Sequence, residues 1–276
     1  MRTPLTVLSP AKLNLFLHIT GRRPDGYHQL QTLFQLLAWG DTMSFTPNNR
    51  GEITLDMPAM DIPPAENLIL RAARKLRRNS LGVHIQVDKQ IPSGSGLGGG
   101  SSNAATTLLV LNHLWDLNYS NEDLVNLGTS LGADVPVFVA GRSAWAEGIG
   151  DILTPVELPE CWYLVVVPNC KVSTAEIFSN EQLTRDASAI KMASFFEGDS
   201  RNDCQPLVRS LYPEVDKALK WLDKFGEAKL TGTGACIFAS FNSKAEADAA
   251  HGKLPAKWQG FVARGLNYSP VPPDLA

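Results

Sequence analysis

Pro92-Ser93-Gly94-Ser95-Gly96-Leu97-Gly98-Gly99-Gly100-Ser101-Ser102 is the stretch on which the reading of this chain turns. Its glycines let the backbone take left-handed conformations and come close to a ligand. Successive main-chain N–H groups can then converge on an anion. A helix is predicted from about Ser101 to Trp115, because the apolar residues Ala104, Leu108, Leu111 and Trp115 recur at helical spacing. A helix start just after the glycines adds unpaired N–H groups and the positive end of a dipole. Ser101 and Ser102 bring hydroxyls that can donate to a phosphate or reach a Mg²⁺ ion. Upstream, Val83 to Val87 alternates like a half-buried strand. A segment held between a strand and a helix is a poor flexible linker.

Two common phosphate loops fit less well. A Walker A loop needs a Lys after its last glycine, and none follows here. Gly94-Ser95-Gly96-Leu97-Gly98-Gly99 satisfies the GxGxxG dinucleotide pattern, but a match in so glycine-rich a stretch is weak. That pattern also wants a strand–turn–helix at the start of a regular βαβ unit, whereas Pro92 intervenes here and several antiparallel-looking strands come first.

Outward from the loop, strands are expected over Leu13 to Ile19, Thr32 to Trp39, Thr42 to Phe45 and Ile53 to Asp56, with a turn at Gly40-Asp41. Arg22-Arg23-Pro24-Asp25-Gly26 reads as a basic turn. Asn67 to Arg78 has helical spacing, with Leu68, Ala72 and Leu76 on one face and Arg71, Arg74 and Arg78 on another. Ser120 with Asp123 reads as a capping box opening a second helix that ends near Gly128 to Gly132. A domain boundary is expected near Thr154-Pro155 and Leu158-Pro159. Beyond it come a strand at Tyr163 to Val167, a helix at Glu214 to Phe225, and a strand from Leu230 to Phe241 broken by Thr231-Gly232-Thr233-Gly234. A short helix at Ser243 to His251 and a strand at Phe261 to Leu266 follow, and the tail Pro270 to Pro273 is expected to be loose.

The chain has 276 residues, 44% hydrophobic and 19% charged, so it can bury one large core or two and is neither disordered nor a disulfide scaffold. Its net charge of -3, with no long basic run, argues against a nucleic-acid partner, including an RNA-binding module. Cys161, Cys170, Cys204 and Cys236 form no CxxC pair and are expected to be free thiols. No apolar leader and no run of about 18 apolar residues is read, so the expectation is a cytoplasmic protein without membrane attachment. The oligomeric state stays open.

Asp134 lies between Gly132-Ala133 and Val135-Pro136, and the proline biases Val135 toward an extended backbone. Such an Asp can face a cleft and take a proton, or it can cap a turn. Lys12 lies in an apolar segment, either paired with a carboxylate or snorkelling from a strand edge. Tyr27 and His28 follow a glycine turn, and by residue type alone they read as a buried Tyr and a surface His. The histidines form no ligand-spaced cluster.

Pro92 and Gly96-Leu97-Gly98, followed by Ser101-Ser102 and Ala104-Ala105, resemble the phosphate loop of the GHMP kinases, which phosphorylate small-molecule hydroxyls with ATP. Pro10-Ala11-Lys12-Leu13-Asn14-Leu15 and Leu230-Thr231-Gly232-Thr233-Gly234-Ala235-Cys236 fit the same superfamily, with threonines where serines are common. Arg23-Pro24-Asp25-Gly26-Tyr27-His28 and Gly132-Ala133-Asp134-Val135-Pro136 are similar to one branch, which serves isoprenoid biosynthesis. The likeness runs from Pro10 to about Pro270.

The resemblance implies a two-domain α+β fold: an N-terminal domain over residues 1–155, like the second domain of ribosomal protein S5, and a ferredoxin-like C-terminal domain over residues 156–276. It implies ATP as co-substrate, Mg²⁺ brought with it, and a small-molecule acceptor carrying cytidine diphosphate. By the resemblance, Asp134 is the base and Lys12 its partner. The loop from Pro92 through Ser93, Gly94, Ser95, Gly96, Leu97, Gly98, Gly99 and Gly100 to Ser101 and Ser102 would hold the triphosphate. Asn67 and Lys89 would lie on the adenine side. Tyr27 and Phe178 would face the two sides of the cytosine, with His28 at its edge, and Asn14 and Thr174 would meet the sugar or alcohol region.

Overall fold

The computed structural model describes residues 4–58, 62–77, 81–198, 200–272 and 275. Its spine is a long antiparallel hairpin, β1 (Leu5–Arg22) and β2 (His28–Asn48), closed by the turn at 23–27. In that turn Arg23 N–H donates to the Tyr27 carbonyl and Gly26 N–H to the Arg23 carbonyl, at 2.7 and 3.0 Å. Irregularities between Pro10 and Lys12 and between Asn14 and Leu17 shift the register, and each re-aims the side chains beyond it.

Gly40-Asp41, expected to turn, lies inside β2, so one strand replaces the two predicted. The glycine serves close approach: a Cβ there would stand 2.0 Å from the Ser9 carbonyl oxygen. Asp41 is fully buried, accepting from the N–H groups of Gln90 and Ile91 at 2.7 and 2.8 Å and pairing with Lys89. Its polarity was a signal of buried pairing, which looks like a turn in sequence.

Around the hairpin, β3 (Ile53–Asp56) pairs in parallel with β4 (Gly82–Asp88), and β4 pairs antiparallel with β2. Four helices cover one face: α1 (Leu68–Leu76), α2 (Gly99–Leu114), α3 (Asn121–Thr129) and α4 (Val135–Ala140). The end of the helix predicted to Arg78 falls short, with Arg77 as C-cap, and Arg78 lies outside the described residues. The capping box is present, with Ser120 and Asp123 bonded reciprocally. In α2 every residue from Ser102 to Leu111 is buried. It is a central helix, buried on more than the one face its apolar steps mark. Val135 is helical rather than extended, because Pro136 falls in the first turn of α4, where a missing N–H costs nothing.

The chain then adds a short hairpin, β5 (Ala144–Glu147) and β6 (Ile152–Pro155), unforeseen in the sequence, against β2. The second half contains β7 (Trp162–Val167), α5 (Thr174–Ser179), α6 (Met192–Phe196), α7 (Gln205–Leu211) and α8 (Pro213–Leu222). It ends with β8 (Lys229–Leu230), β9 (Ile237–Phe241), α9 (Lys244–His251) and β10 (Gln259–Leu266). The helices α5, α6 and α7 were also unforeseen; each is too short to show a helical period. β10 pairs with β7 along its length and with β2 through Gly265 and Leu266, so the strands of both halves join in one sheet.

The halves also exchange side chains. Leu17 and Ile19 of β1 pack with Leu164, Ile177, Leu207 and Leu219. Val271 and Leu275 of the C-terminal tail are buried in the same core cluster as residues of α1, α2 and α4. The tail is therefore docked rather than loose, although Pro273 lies outside the described residues. Leu275→Ala should lower stability by about 2 kcal/mol, read as a fall in chemical-denaturation midpoint; an unchanged midpoint would mean the tail is only resting there.

All four cysteines are free thiols. Burial pushes the Cys204 and Cys236 thiols up to about 12, so both stay protonated near neutrality. Among the described residues, no helix is long and apolar enough to cross a membrane.

Candidate active site

The glycine-rich stretch runs from β4 to α2 with Gly94, Gly96 and Gly98 at φ of +64°, +79° and +75°. Space excludes a side chain at two of them. A Cβ on Gly96 would lie 2.2 Å from the Thr231 carbonyl oxygen, and one on Gly98 would lie 2.9 Å from the Phe138 ring and 3.1 Å from Lys12 Cε. The loop is clamped from both halves of the chain: Lys12 N–H donates to the Leu97 carbonyl at 3.0 Å and Cys236 N–H to the Ser95 carbonyl at 3.1 Å. Leu97 itself is fully buried in the core between the halves. Gly98 caps α2 with no side chain to offer, and no acidic residue occupies the first turn. The leading N–H groups of α2 therefore receive no side-chain cap and no acidic partner from the first turn.

Lys12, 2% exposed, is brought under this loop by the register shift after Pro10. Its ammonium stands 3.1 Å from Asp134 Oδ2, and donates to Asn14 Oδ1 at 2.6 Å and to the Gly96 carbonyl at 3.1 Å. Asp134 sits at the N-cap position of α4 yet makes no side-chain capping bond. Its carboxylate, about one-third exposed, faces Lys12 and the cleft instead. Asn14 is itself held on three sides, since its N–H donates to Thr231 Oγ1 at 2.9 Å and its amide to Thr32 Oγ1 at 3.0 Å. Thr32 in turn donates to the Phe16 carbonyl at 2.5 Å. The whole chain of bonds fixes one ammonium against one carboxylate.

Two cavities meet at the loop. One, of about 270 Å³, is lined by Asn67, Lys89, Pro92, Ser93, Gly94, Ser95 and Gly99 with Gly100, and by the apolar Met57, Ile62 and Leu68. The other, of about 690 Å³, is lined by Lys12, Asn14, Tyr27, His28, Asp134, Thr174 and Phe178. Gly96, Gly98 and Ser101 line both. The loop is thus a shared wall, with Lys12 and Asp134 on its larger-cavity side.

Individual residues divide by what their polar atoms already do. Ser101 opens on both cavities, but Ser102 is fully buried and bonded to Ser9 Oγ at 2.8 Å. Because Ser9 gives its own proton to Asn103 Oδ1, Ser102 is the donor in that pair, and its hydroxyl proton is committed away from the loop. Asn67 caps α1, its Oδ1 accepting from Ile69 N–H at 3.0 Å. Lys89 pairs with Asp41, and its ammonium would be 3.2 Å from a Cβ on Gly99, at the start of α2. In the larger cavity Thr174 and Thr233 share a hydroxyl hydrogen bond of 2.9 Å. His28 and Phe178 are stacked, with centroids 4.9 Å apart and planes 24° from parallel, while Tyr27 is 59% exposed at the rim. The separation leaves no room for a third ring between His28 and Phe178, so a flat ligand would use the outer faces of this pair.

Residues 67–142 match the model for the GHMP kinases N terminal domain, and residues 181–260 that for the GHMP kinases C terminal. This chain belongs to the GHMP kinases. Among relatives, a protein of Hahella chejuensis is 55% identical over 285 residues, covering 98% of this chain and 96% of its own. One of Pseudomonas aeruginosa is 57% identical over 272 residues, with the same coverages. Both are named 4-diphosphocytidyl-2-C-methyl-D-erythritol kinase. A crystal structure of 4-(cytidine 5'-diphospho)-2C-methyl-D-erythritol kinase superposes with a TM-score of 0.80 at 30% identity, covering 95% of this chain and 99% of that one. A mevalonate kinase shares the fold at 18% identity, with a TM-score of 0.68. The two-domain α+β architecture expected from sequence is that of the GHMP kinases, and the chain is a small-molecule kinase.

For a GHMP kinase site, sequence reasoning left out Thr32, Thr231 and Arg185. Thr231 lay in a motif already noticed, and its hydroxyl was the available signal. Thr32 and Arg185 carry no local pattern; only the fold brings Thr32 to the cleft wall and Arg185 to His28 behind it.

Proposed function

We propose that this GHMP kinase transfers the γ-phosphoryl group of ATP to the 2-hydroxyl of 4-diphosphocytidyl-2-C-methyl-D-erythritol. The products would be the 2-phosphate and ADP, in the non-mevalonate route to isopentenyl diphosphate. One observation carries the reading: two cavities share the wall of Gly96, Gly98 and Ser101, and an ammonium–carboxylate pair faces the larger one at 3.1 Å. A phosphoryl donor in the smaller cavity and an alcohol in the larger would meet at that wall.

Phosphoryl transfer asks little covalent help of a protein and much alignment and charge stabilisation. The N–H groups at the start of α2 and the Ser101 hydroxyl would grip the triphosphate tail, with the Lys89 ammonium adding charge beside Gly99. Asp134 would orient the acceptor hydroxyl and receive its proton as the oxygen attacks. Lys12 would stabilise negative charge on the reacting oxygen. Tyr27, His28 and Phe178 would receive the cytosine, and Asn14 and Thr174 the methylerythritol region.

Among the described residues, no group of three His, Cys, Asp or Glu side chains is placed to hold a metal. A Mg²⁺ ion would be carried mainly by the nucleotide phosphates, and the Ser101 hydroxyl, which opens on both cavities, would be available to help hold it. Bound there, it would neutralise phosphate charge.

A coupled ADP-release assay against a panel of sugar alcohols and their nucleotide conjugates tests the reading. ADP should appear only with the cytidine diphosphate conjugate of methylerythritol. Equal turnover with mevalonate, homoserine or the free sugar alcohol would overturn the acceptor assignment.

A further inference from the structure

We infer that Arg185 is a positioning residue whose guanidinium holds His28 and Phe178 as one unit on the wall of the larger cavity, with the His28 proton confined to Nδ1. Arg185 Nε–H donates to His28 Nε2 at 3.1 Å, so that ring nitrogen must be the unprotonated one. The same guanidinium donates through Nη2 to the carbonyls of Phe178 and Asn180, at 3.0 and 2.6 Å, and through Nη1 to that of Leu183 at 3.2 Å.

One planar fork therefore ties the C-terminal end of α5 to the first residue of β2. These elements come from opposite halves of the chain, and the two rings they carry are the stacked pair. A lysine has neither the planarity nor enough fixed donors for this arrangement.

The electrostatics agree. Burial, then Arg185, then Arg22 lower the His28 pKa below its ordinary 6.5, so the imidazole is neutral at physiological pH. Arg22, paired with His28 across the hairpin, and Arg185 from the other half are the charges that face it. Asp25, also on the cavity wall, is paired with Arg23 at 2.8 Å. A neutral imidazole with its proton on Nδ1 offers one donor of fixed direction, and a nucleobase edge rich in acceptors is the class of ligand that suits it.

That the unit receives the acceptor's base rests on the function proposed above; the tautomer does not. Imidazole ¹⁵N–¹H correlation spectra of the wild-type chain at pH 7.5 should show His28 Nε2 unprotonated and Nδ1 protonated. In Arg185→Gln the two tautomers should mix, and the His28 titration midpoint should rise. In steady-state assays the same variant should raise the acceptor KM about 10-fold, with the ATP KM and kcat changed by less than about threefold. Arg185→Lys, which keeps the charge but not the fork, should raise the acceptor KM similarly and serves if the glutamine variant does not fold. A protonated Nε2 in the wild type overturns the lock. A wild-type lock with an unchanged acceptor KM in both variants overturns the positioning role. If Tyr27→Ala also leaves that KM unchanged, the reading of the cavity as an acceptor site fails with it.

Discussion

Asp134→Asn should lower kcat by about 10²–10⁴-fold while leaving nucleotide affinity unchanged. The carboxylate lies on the larger cavity only, across the loop from the smaller one, so nucleotide contacts do not depend on it. Asparagine keeps the shape and can still accept from the Lys12 ammonium, now 3.1 Å from Oδ2. What disappears is the charge and the ability to take a proton. The fold should tolerate the change, because Asp134 makes no capping bond to α4. Isothermal titration with a nonhydrolysable ATP analogue, set beside turnover of the acceptor, separates binding from chemistry. A variant within a few-fold of wild-type turnover would remove Asp134 from any part in the reaction. Lys12→Met is the complementary change: it strips the donor from Asn14 and the Gly96 carbonyl and leaves Asp134 unpaired. It should cost turnover and some stability together.

The second large effect is expected at Gly96. An alanine there must adopt φ near +79° and place its Cβ 2.2 Å from the Thr231 carbonyl oxygen, with the Gly234 carbonyl oxygen at 3.3 Å. Those atoms are backbone and cannot swing aside as a flexible side chain would. Left-handed strain and overpacking together should cost about 2–5 kcal/mol. The clamp between the glycine loop and the Thr231–Gly234 turn should open with it. Nucleotide affinity should fall with stability, because the same backbone carries the N–H groups at the start of α2. Gly94→Ala is the control: its φ is +64°, but the nearest atom to its Cβ is 4.0 Å away, so only the backbone strain of about 1 kcal/mol remains. Thermal melts and nucleotide titrations of the two variants should rank Gly96→Ala far below Gly94→Ala. Equal effects would mean that the close approach to Thr231 does not shape the site.

Much of the architecture could be read from residues alone where the signal is local. The capping box at Ser120, the alternation of Val83 to Val87 and the glycine-rich start of α2 all appear in the fold. Each depends on dihedral preferences or periodicity within a few residues. The misreadings share a cause as well. Gly40-Asp41 resembles a turn, but the glycine answers to the Ser9 carbonyl and the aspartate to Lys89. Val135 before proline resembles an extended residue, but the first turn of α4 accepts the proline. Pro270 to Pro273 resembles a free tail, but Val271 and Leu275 find an apolar seat in the core that includes α2. At Gly40-Asp41 and in the tail a contact distant in sequence outweighed a local preference worth about 1 kcal/mol or less.

The amino-acid sequence by itself determined that a glycine-rich turn leads into a helix over residues 94–102, because positive φ and unpaired helical N–H groups are properties of a short backbone segment. Only the tertiary structure decided what faces that turn. Strand register brought the Lys12 ammonium to the Asp134 carboxylate, and the packing of α2 turned Ser102 inward and left Ser101 on both cavities. The closing of the two halves also carried Arg185 to His28. Pairings of this kind are set by which buried polar groups must be satisfied once the two halves close on each other, and that condition does not exist until the chain has folded.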